Sequence, residues 1–274
     1  MSKSSEYVLG HSDFEVERLQ VQAAAIAAVT RRLILESGIS QGMTVLDIGC
    51  GAGDVSLILA EAVGPSGRVV AIDREPRAVD ATRARAATLG HRNIEAIVAT
   101  EVELQRLALF DAAIGRYVLL HQLNPVQMIR SAAAAVRTGG VVAFHEIANY
   151  EPNRFQALPK VDLFDKIAVA TNSAFVKMVP SPDAGGRMVS CFDEAGLPQP
   201  ELFWECVIGD AYSPIARWLA LSYRSMLPHI TKLGLLPQGA GDPETLVDRL
   251  EHALKEVKAQ VVSNPQICAW VARP

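Results

Sequence analysis

The sequence is poor in the features that mark several classes of protein. Its 274 residues include four cysteines and only 6% aromatic residues, and the formal net charge is −4. The cysteines fit neither the spacing of zinc ligands nor a dense disulfide framework. We therefore expect free thiols, no metal site and a reducing, cytoplasmic location. These cysteines are Cys50, Cys191, Cys206 and Cys268.

Charge and hydropathy exclude two kinds of partner. The sequence has no block of like charge and none of the basic stripes that nucleic-acid binding requires. Residues 1–7 are polar, without the apolar segment of a signal peptide, and every apolar run ends well before the roughly 18 residues of a membrane span. We expect neither a nucleic acid nor a membrane as partner, and the sequence leaves a homo-oligomer open.

What the sequence does contain is a regular alternation of short apolar runs and helical segments. Such strand–helix repetition predicts a parallel sheet covered by helices on both faces, in the α/β class. After residue 145 the rhythm changes, and residues 150–178 show a helical pattern with no strand. The expected strands are residues 44–48, 69–72, 94–98, 111–116, 141–144, 202–208 and 266–271.

A glycine-rich loop, Gly49-Cys-Gly-Ala-Gly53, follows the first expected strand and precedes a helix. This context places backbone N–H groups at a helix N-terminus, where they face a ligand, and the glycines allow that ligand to approach closely. Asp73 ends the next strand, about 20 residues further on, where an acid can accept both hydroxyls of a ribose. The pattern predicts a site for a nucleotide-like cofactor.

The acids around this loop select among such cofactors. A dinucleotide-binding loop has its third glycine where this chain has Asp54, and a carboxylate there would repel a pyrophosphate. Asp47 adds a second negative charge just before the loop. These acids favour a ligand with a cationic ammonium and a sulfonium. S-adenosylmethionine (SAM) is such a ligand and NAD is not.

Residues 45–54, which read VLDIGCGAGD, resemble motif I of the class I SAM-dependent methyltransferases. Residues 70–73, 110–121 and 269–272 resemble later motifs of that family, and residues 136–140 resemble its turn before strand five, with Thr138 in place of proline. The resemblance implies a Rossmann-like, seven-stranded, mostly parallel sheet that binds SAM. It also implies methyl transfer to O, N or C of an acceptor. Two helical segments outside the minimal core, at about 150–180 and 211–264, predict a cap that encloses a small, mostly apolar metabolite of small-molecule biosynthesis or secondary metabolism.

The resemblance further implies roles for single residues in cofactor binding. Gly49 and Gly51 would contact the methionine part of SAM, while Asp47 would fix the loop or reach the ammonium through water. Asp73 would hold the ribose, and Arg74 would lie along the adenine.

Three further positions complete the cofactor site that the resemblance implies. Thr100 or Glu101 would replace the acid that the family often places near the adenine amine. Arg116, at the end of strand four, would offer its backbone carbonyl to the ammonium. Tyr7 would close the methionine end, or else would only anchor the first helix.

Three residues are candidates for contact with the methyl acceptor. Methyl transfer is an in-line displacement that depends mostly on alignment, and a base is needed only when the acceptor must first lose a proton. His145 and Glu146 end the fifth strand and His121 follows the fourth, at the edge where open α/β sheets bind ligands. We favour His145 because an imidazole accepts a proton near neutral pH. The alternatives are that His121 packs against the sheet edge and that Glu146 pairs with an arginine.

Two other functions remain open at this point, namely a cyclase or rearrangement enzyme that retains SAM, and a non-catalytic SAM-binding module.

The expected domain boundaries follow from the same sequence patterns. We expect an N-terminal helical segment over the cofactor (1–38), a SAM-binding core (39–149), a helical cap for the substrate (150–180 and 211–264), and the remainder of the core sheet (181–210 and 265–274).

Overall fold

A computed structural model describes residues 13–100, 103, 109–148 and 155–274 of the chain. The contacts within it divide the chain into two compact units. The core unit consists of Ala27–Ala148, Asp183–Glu205 and Gln266–Pro274, and the helical unit consists of Met1–Ile26, Asn149–Pro182 and Cys206–Pro265. The first helix, α1 (Asp13–Glu36), begins in the helical unit and ends in the core unit.

The core unit contains a seven-stranded sheet in the order β3-β2-β1-β4-β5-β10-β7. The first five strands in this order run parallel, and β10 is antiparallel to both of its neighbours. The predicted mostly parallel α/β sheet is therefore confirmed. Its strands are β1 (Thr44–Ile48), β2 (Arg68–Asp73), β3 (Ile94–Val98), β4 (Phe110–Arg116), β5 (Val136–Ile147), β7 (Glu201–Glu205) and β10 (Gln266–Ala272).

Helices cover both faces of this sheet, which explains why its central strands are almost continuously apolar. Met128, Ile129 and Phe192 pack against one face, and Val79 packs against the other. Asn124 caps the helix after β4, as its position before Pro125 predicts, because its side chain accepts the N–H of Gln127. The helices are α2 (Asp54–Val63), α3 (Pro76–Thr88), α4 (Pro125–Ala135) and α6 (Met188–Glu194).

The helical unit combines helices with a small antiparallel sheet of order β6-β9-β8. Its core is rich in large apolar side chains: Phe155 meets Trp218 edge-on at 4.9 Å between ring centroids, and Phe164 and Tyr223 are buried. The elements are β6 (Gln156–Leu158), α5 (Asp162–Met178), β8 (Ile208–Gly209), α7 (Pro214–Lys232), α8 (Leu246–Glu256) and β9 (Gln260–Val262).

Two sequence predictions about secondary structure are wrong. Residues 150–178 were expected to contain no strand, but β6 precedes α5 and pairs with β9, about a hundred residues later in the chain. The single strand expected at 202–208 is divided, because β7 ends at Glu205 and Ile208–Gly209 pairs with β9 in the other sheet. In both cases a distant pairing partner, which local periodicity cannot reveal, decides the structure.

Candidate active site

The glycine loop connects the carboxyl end of β1 to α2. Gly49, Gly51 and Gly53 all have positive φ angles, of 67°, 54° and 85°, which only glycine adopts readily. At Gly51 a β-carbon would meet no atom within 4 Å, whereas at Gly49 it would lie 2.9 Å from Cγ2 of Val118. The loop is therefore closely packed at Gly49 and open at Gly51.

Asp47 lies directly beneath this loop with its carboxylate buried. Its Oδ2 atom accepts a hydrogen bond from the Ser56 hydroxyl at 2.5 Å. Its Oδ1 atom is also buried, and within the described part of the chain it has no hydrogen-bond partner. Burial raises the pKa of Asp47 to about 7, against the opposing effects of Ser56 and Arg116. Such an unsatisfied carboxylate oxygen is suited to a cation or a bound water.

Asp73, at the end of β2, is linked to the glycine loop. Its Oδ2 accepts the N–H of Gly51 and its Oδ1 accepts the N–H of Glu75, both at 3.0 Å. Each oxygen retains a further lone pair for a ligand hydroxyl. The next residue, Arg74, is exposed, with its Nε 3.9 Å from a carboxylate oxygen of Glu75.

The remaining predicted cofactor residues lie after the third strand, at the end of the fourth, and outside the described residues. Thr100 follows β3 and is exposed, and both its N–H and its hydroxyl donate to the carboxylate of Glu103. Arg116 ends β4, half-buried, with Nη1 donating to the Thr30 hydroxyl at 3.3 Å. Tyr7 and Glu101 lie outside the described residues.

Asp54 forms an ion pair that was not predicted from the sequence. Nη1 of Arg85, on α3, lies 2.8 Å from the Asp54 carboxylate and also donates to the carbonyl of Ala52. The negative charge of Asp54 is thus largely compensated. The argument that acids at this loop favour a cationic ligand consequently rests on Asp47 and Asp73.

The three predicted acceptor-side residues have very different environments. His145 and Glu146 lie near the carboxyl end of β5 with 0% of their surface exposed. His121 is half-buried, at the end of a short 3-10 helix (Leu119–His121) after β4. Of the three, only His121 therefore has surface open to solvent in this structure.

The imidazole of His145 is enclosed in a hydrogen-bonded chain. Its Nδ1 lies 3.1 Å from the Thr30 hydroxyl and its Nε2 lies 3.0 Å from Oε1 of Gln266. With Gln266 accepting, the ring carries its proton on Nε2, and its lone pair on Nδ1 faces Thr30. Burial lowers the pKa of His145 to about 3, so the ring is neutral.

The carboxylate of Glu146 accepts backbone hydrogen bonds, and no arginine of the described residues is seen to pair with it. The N–H groups of Val118 and Leu119 donate to its Oε1 at 2.8 and 2.7 Å, and the N–H of Leu120 lies 3.4 Å from Oε2. Burial raises the pKa of Glu146 to about 8, and these three N–H groups oppose that rise.

Sequence reasoning missed three residues at this edge, namely Thr30, Tyr117 and Gln266. Tyr117 adopts φ = 56°, which is uncommon for a residue with a side chain. Its hydroxyl donates to Oε1 of Gln266, the same atom that His145 contacts. No local pattern marks these residues, because they come from α1, the end of β4 and the start of β10.

Comparison with known proteins identifies the family. Residues 39–189 match the family model for a methyltransferase domain, which is more than half of the chain. The chain belongs to the class I SAM-dependent methyltransferases. The sequence-based identification is thereby confirmed, and family membership implies SAM as the cofactor.

Several curated relatives of this methyltransferase have names that specify an activity, among them the following two. The aklanonic acid methyltransferase of Streptomyces sp. strain C5 is 35% identical over 115 residues, which is 42% of this chain and 52% of the relative. The ubiquinone biosynthesis O-methyltransferase of Nitrosospira multiformis is 27% identical over 187 residues, 66% of this chain and 71% of the relative. The methyltransferase covers about half the length, or less, of most curated relatives that it matches.

Solved structures share the fold at low sequence identity. A crystal structure described as a methyltransferase from Bacillus halodurans C-125 has a TM-score of 0.58 at 14% identity, covering 90% of this chain and 99% of that one. The cyclase SpnF has a TM-score of 0.53 at 16% identity, covering 90% and 81%. The fold alone therefore does not separate methyl transfer from cyclisation.

The residues of the loop fit SAM. A buried oxygen of Asp47 that lacks a partner, the open space beside Gly51 and the carboxylate of Asp73 together offer acceptors and room to a cationic nucleoside. In the described part of the chain, no three His, Cys, Asp or Glu side chains are grouped to hold a metal ion. None of the helices described here has the length and apolar character needed to span a membrane.

Proposed function

We propose that this methyltransferase transfers a methyl group from SAM to O, N or C of a small, mostly apolar organic molecule. The observation that carries the proposal is the acid pair at the open glycine loop. Asp47 presents a buried oxygen without a hydrogen-bond partner among the described residues, and Asp73 is fixed by the N–H of Gly51. Two acids at the loop, Asp47 and Asp73, favour a cationic ligand over a pyrophosphate, whose own negative charge they would repel.

The residues that would hold SAM follow from this geometry and from the family resemblance. Gly49 and Gly51 line the methionine part, and Asp47 receives the ammonium directly or through water. Asp73 binds the ribose hydroxyls. The proposal also retains Arg74, with Thr100 or Glu101, beside the adenine, the Arg116 carbonyl near the ammonium and Tyr7 at the methionine end.

When bound, SAM supplies an electrophilic methyl group on a sulfonium. The chain's own residues then have to align an acceptor and exclude water, and they remove a proton only if the acceptor carries one. Of the three acceptor-side candidates, we propose His121 for direct contact, because it is half-buried while His145 and Glu146 are 0% exposed.

A small organic acceptor is supported by three observations. The net charge of −4 and the absence of a basic stripe in the sequence disfavour a nucleic-acid substrate. Two relatives are named for aklanonic acid and for ubiquinone biosynthesis. The segments 150–180 and 211–264, to which we assign substrate enclosure, contain many large apolar residues, of which Phe175 and Met178 are only half-buried. A cytoplasmic place in secondary metabolism belongs to the same proposal.

The test is turnover with SAM labelled in its methyl group. The purified chain is offered a panel of hydroxylated polycyclic acids and quinols, with a ribosomal protein fraction and tRNA as controls. We expect S-adenosylhomocysteine and a labelled product from the organic panel alone. Labelling of protein or RNA would contradict the proposed substrate class. An organic compound that rearranges without any S-adenosylhomocysteine would favour the cyclase alternative.

A further inference from the structure

Residues 117–120, which we name the post-β4 segment, follow the strand that ends at Arg116. The segment begins with Tyr117 at φ = 56°, in the left-handed region. A residue with a side chain adopts that conformation only at a cost in free energy, so surrounding interactions must hold it there.

The end of β5 supplies those interactions. The carbonyl of His145 accepts the N–H of Tyr117 at 2.8 Å, and the His145 ring and the Tyr117 hydroxyl share Oε1 of Gln266. The Glu146 carboxylate then accepts the next N–H groups, those of Val118 and Leu119. His145 and Glu146, two consecutive residues of β5, thus accept the first three N–H groups of the post-β4 segment.

The post-β4 segment in turn contacts the glycine loop. The side chain of Val118 is so close to Gly49 that a β-carbon there would lie 2.9 Å from Cγ2 of Val118. A shift of the segment would therefore change the wall of the loop that we propose for the methionine part of SAM. The consequence for cofactor binding rests on the proposed function, whereas the fixing of the segment does not.

We propose that Glu146 and His145 are positioning residues, which fix the post-β4 segment against the glycine loop and take no part in proton transfer. Both side chains are fully buried, and their acceptor atoms are used within the chain. A general base needs a lone pair directed at the substrate. The Nδ1 lone pair of His145 faces Thr30, and both oxygens of Glu146 face backbone N–H groups.

Substitutions at position 146 separate positioning from base catalysis. In Glu146→Gln the amide oxygen can still accept the two shortest hydrogen bonds, from Val118 and Leu119, but the amide cannot act as a base. In Glu146→Ala all three N–H groups lose their partner. Positioning predicts that Ala disrupts the site and that Gln rescues it, whereas base catalysis predicts that both variants fail.

The first measurement is hydrogen–deuterium exchange of the peptide that covers residues 117–120, without any cofactor. We expect Glu146→Ala to speed exchange of that peptide by about 10–100-fold, the effect of losing buried hydrogen bonds. Glu146→Gln should remain within about 3-fold of the wild type. Exchange in β2 should not change. Wild-type exchange in Glu146→Ala would overturn the inference.

The second measurement is the affinity for S-adenosylhomocysteine by calorimetry, followed by turnover on the same samples. We expect about 10-fold or weaker binding for Glu146→Ala, and rescue of both binding and kcat by Gln. A Glu146→Gln variant with normal exchange and affinity but with kcat lowered about 10²–10⁴-fold would identify a base and overturn the inference. A wild type that binds no S-adenosylhomocysteine would contradict the proposed function only.

Tyr117→Phe serves if Glu146→Ala does not fold. It removes the hydroxyl bond to Gln266 and leaves the carboxylate in place. We expect faster exchange of the post-β4 segment than in Tyr212→Phe, a control at a tyrosine that is 73% exposed. Equal exchange in these two variants would overturn the inference.

Discussion

The two edges of the large sheet differ in how deeply their carboxylates are buried. At the amino ends of the strands, charged side chains form exposed ion pairs, such as Arg137 with Asp111 and Arg68 with Glu95. At the carboxyl ends, Asp47 and Glu146 are buried, and no ion pair of either is seen among the described residues. In the part of the chain that the structure describes, both of these buried carboxylates of the large sheet lie at its carboxyl edge.

The burial of carboxylates at the carboxyl edge indicates that this edge serves a function besides stabilising the fold. Burying a carboxylate costs free energy unless hydrogen bonds satisfy it. Glu146 is satisfied by backbone N–H groups, but one oxygen of Asp47 has no partner in the described residues. Displaced pKa values of this kind concentrate at functional sites. The comparison predicts that substitutions at the carboxyl edge alter binding and that matched substitutions at the amino edge do not.

The largest effect is expected from Gly51→Ala. The new methyl group would point into the open space of the loop and would stand where we place the ligand. We expect affinity for S-adenosylhomocysteine to fall more than about 100-fold, by the loss of several contacts. Gly90→Ala is the matched control, because Gly90 also has positive φ, at 75°, with no atom within 4 Å of a β-carbon.

Both glycine variants should lose similar stability, about 1–2 kcal/mol, from the left-handed backbone alone. Thermal unfolding therefore measures the shared strain, and calorimetry measures the ligand effect that only Gly51→Ala should show. Equal affinities in the two variants would mean that the cofactor does not approach Gly51.

A smaller effect is expected from Asp73→Asn. The amide would keep one acceptor but lose the charge that strengthens hydrogen bonds to ribose hydroxyls. We expect S-adenosylhomocysteine binding to weaken about 10–100-fold, or about 1.4–2.7 kcal/mol. Asp111→Asn is the control, since Asp111 also accepts a backbone N–H, that of Thr44 at 2.7 Å, but at the amino edge. Equal losses would remove the distinction between the edges.

The pH dependence of unfolding offers a third test, at His145. Burial lowers its pKa from 6.5 to about 3, so below pH 6.5 the unfolded state binds a proton that the folded state does not. Stability from this group is therefore lost as the pH falls from about 6.5 towards 3, by about 1.4 kcal/mol per pH unit. The raised pKa values of Asp47 and Glu146 act in the opposite direction.

Because these pH effects overlap, the test compares the free energies of unfolding of the wild type and of a variant that lacks the His145 imidazole. The free energy of unfolding is measured for the wild type and for His145→Gln at each pH between 4 and 8, where both fold. We expect the difference to be constant above about pH 6.5 and to move in favour of the variant below it. A difference that does not vary with pH would mean that His145 titrates normally and is not buried.

The sequence predicted the sheet and the glycine loop because both are local. Val45, Leu46 and Ile48 are apolar, the glycines follow directly, and Asp73 ends the next strand, so a short window contains the evidence. The partners of His145 and Glu146 could not be predicted this way. Thr30 is 115 residues from His145 in sequence and Gln266 is 121 residues away, so only the folded sheet edge brings them together.

The smallest effect is expected at the amino edge, from Arg137→Gln. The Nε atom of Arg137 lies 2.6 Å from Asp111, but half of the Arg137 side chain is exposed. Exposed ion pairs contribute roughly 0–1 kcal/mol, so we expect a loss of stability within that range and no change in S-adenosylhomocysteine affinity. Asp111 retains the Thr44 N–H, which is the largest cause of its lowered pKa, so the carboxylate stays ionised without the arginine. Denaturant unfolding and calorimetry on one preparation test both statements. A clear loss of cofactor affinity would show that charge at the amino edge influences the cofactor site. The two edges would then differ in exposure but not in function.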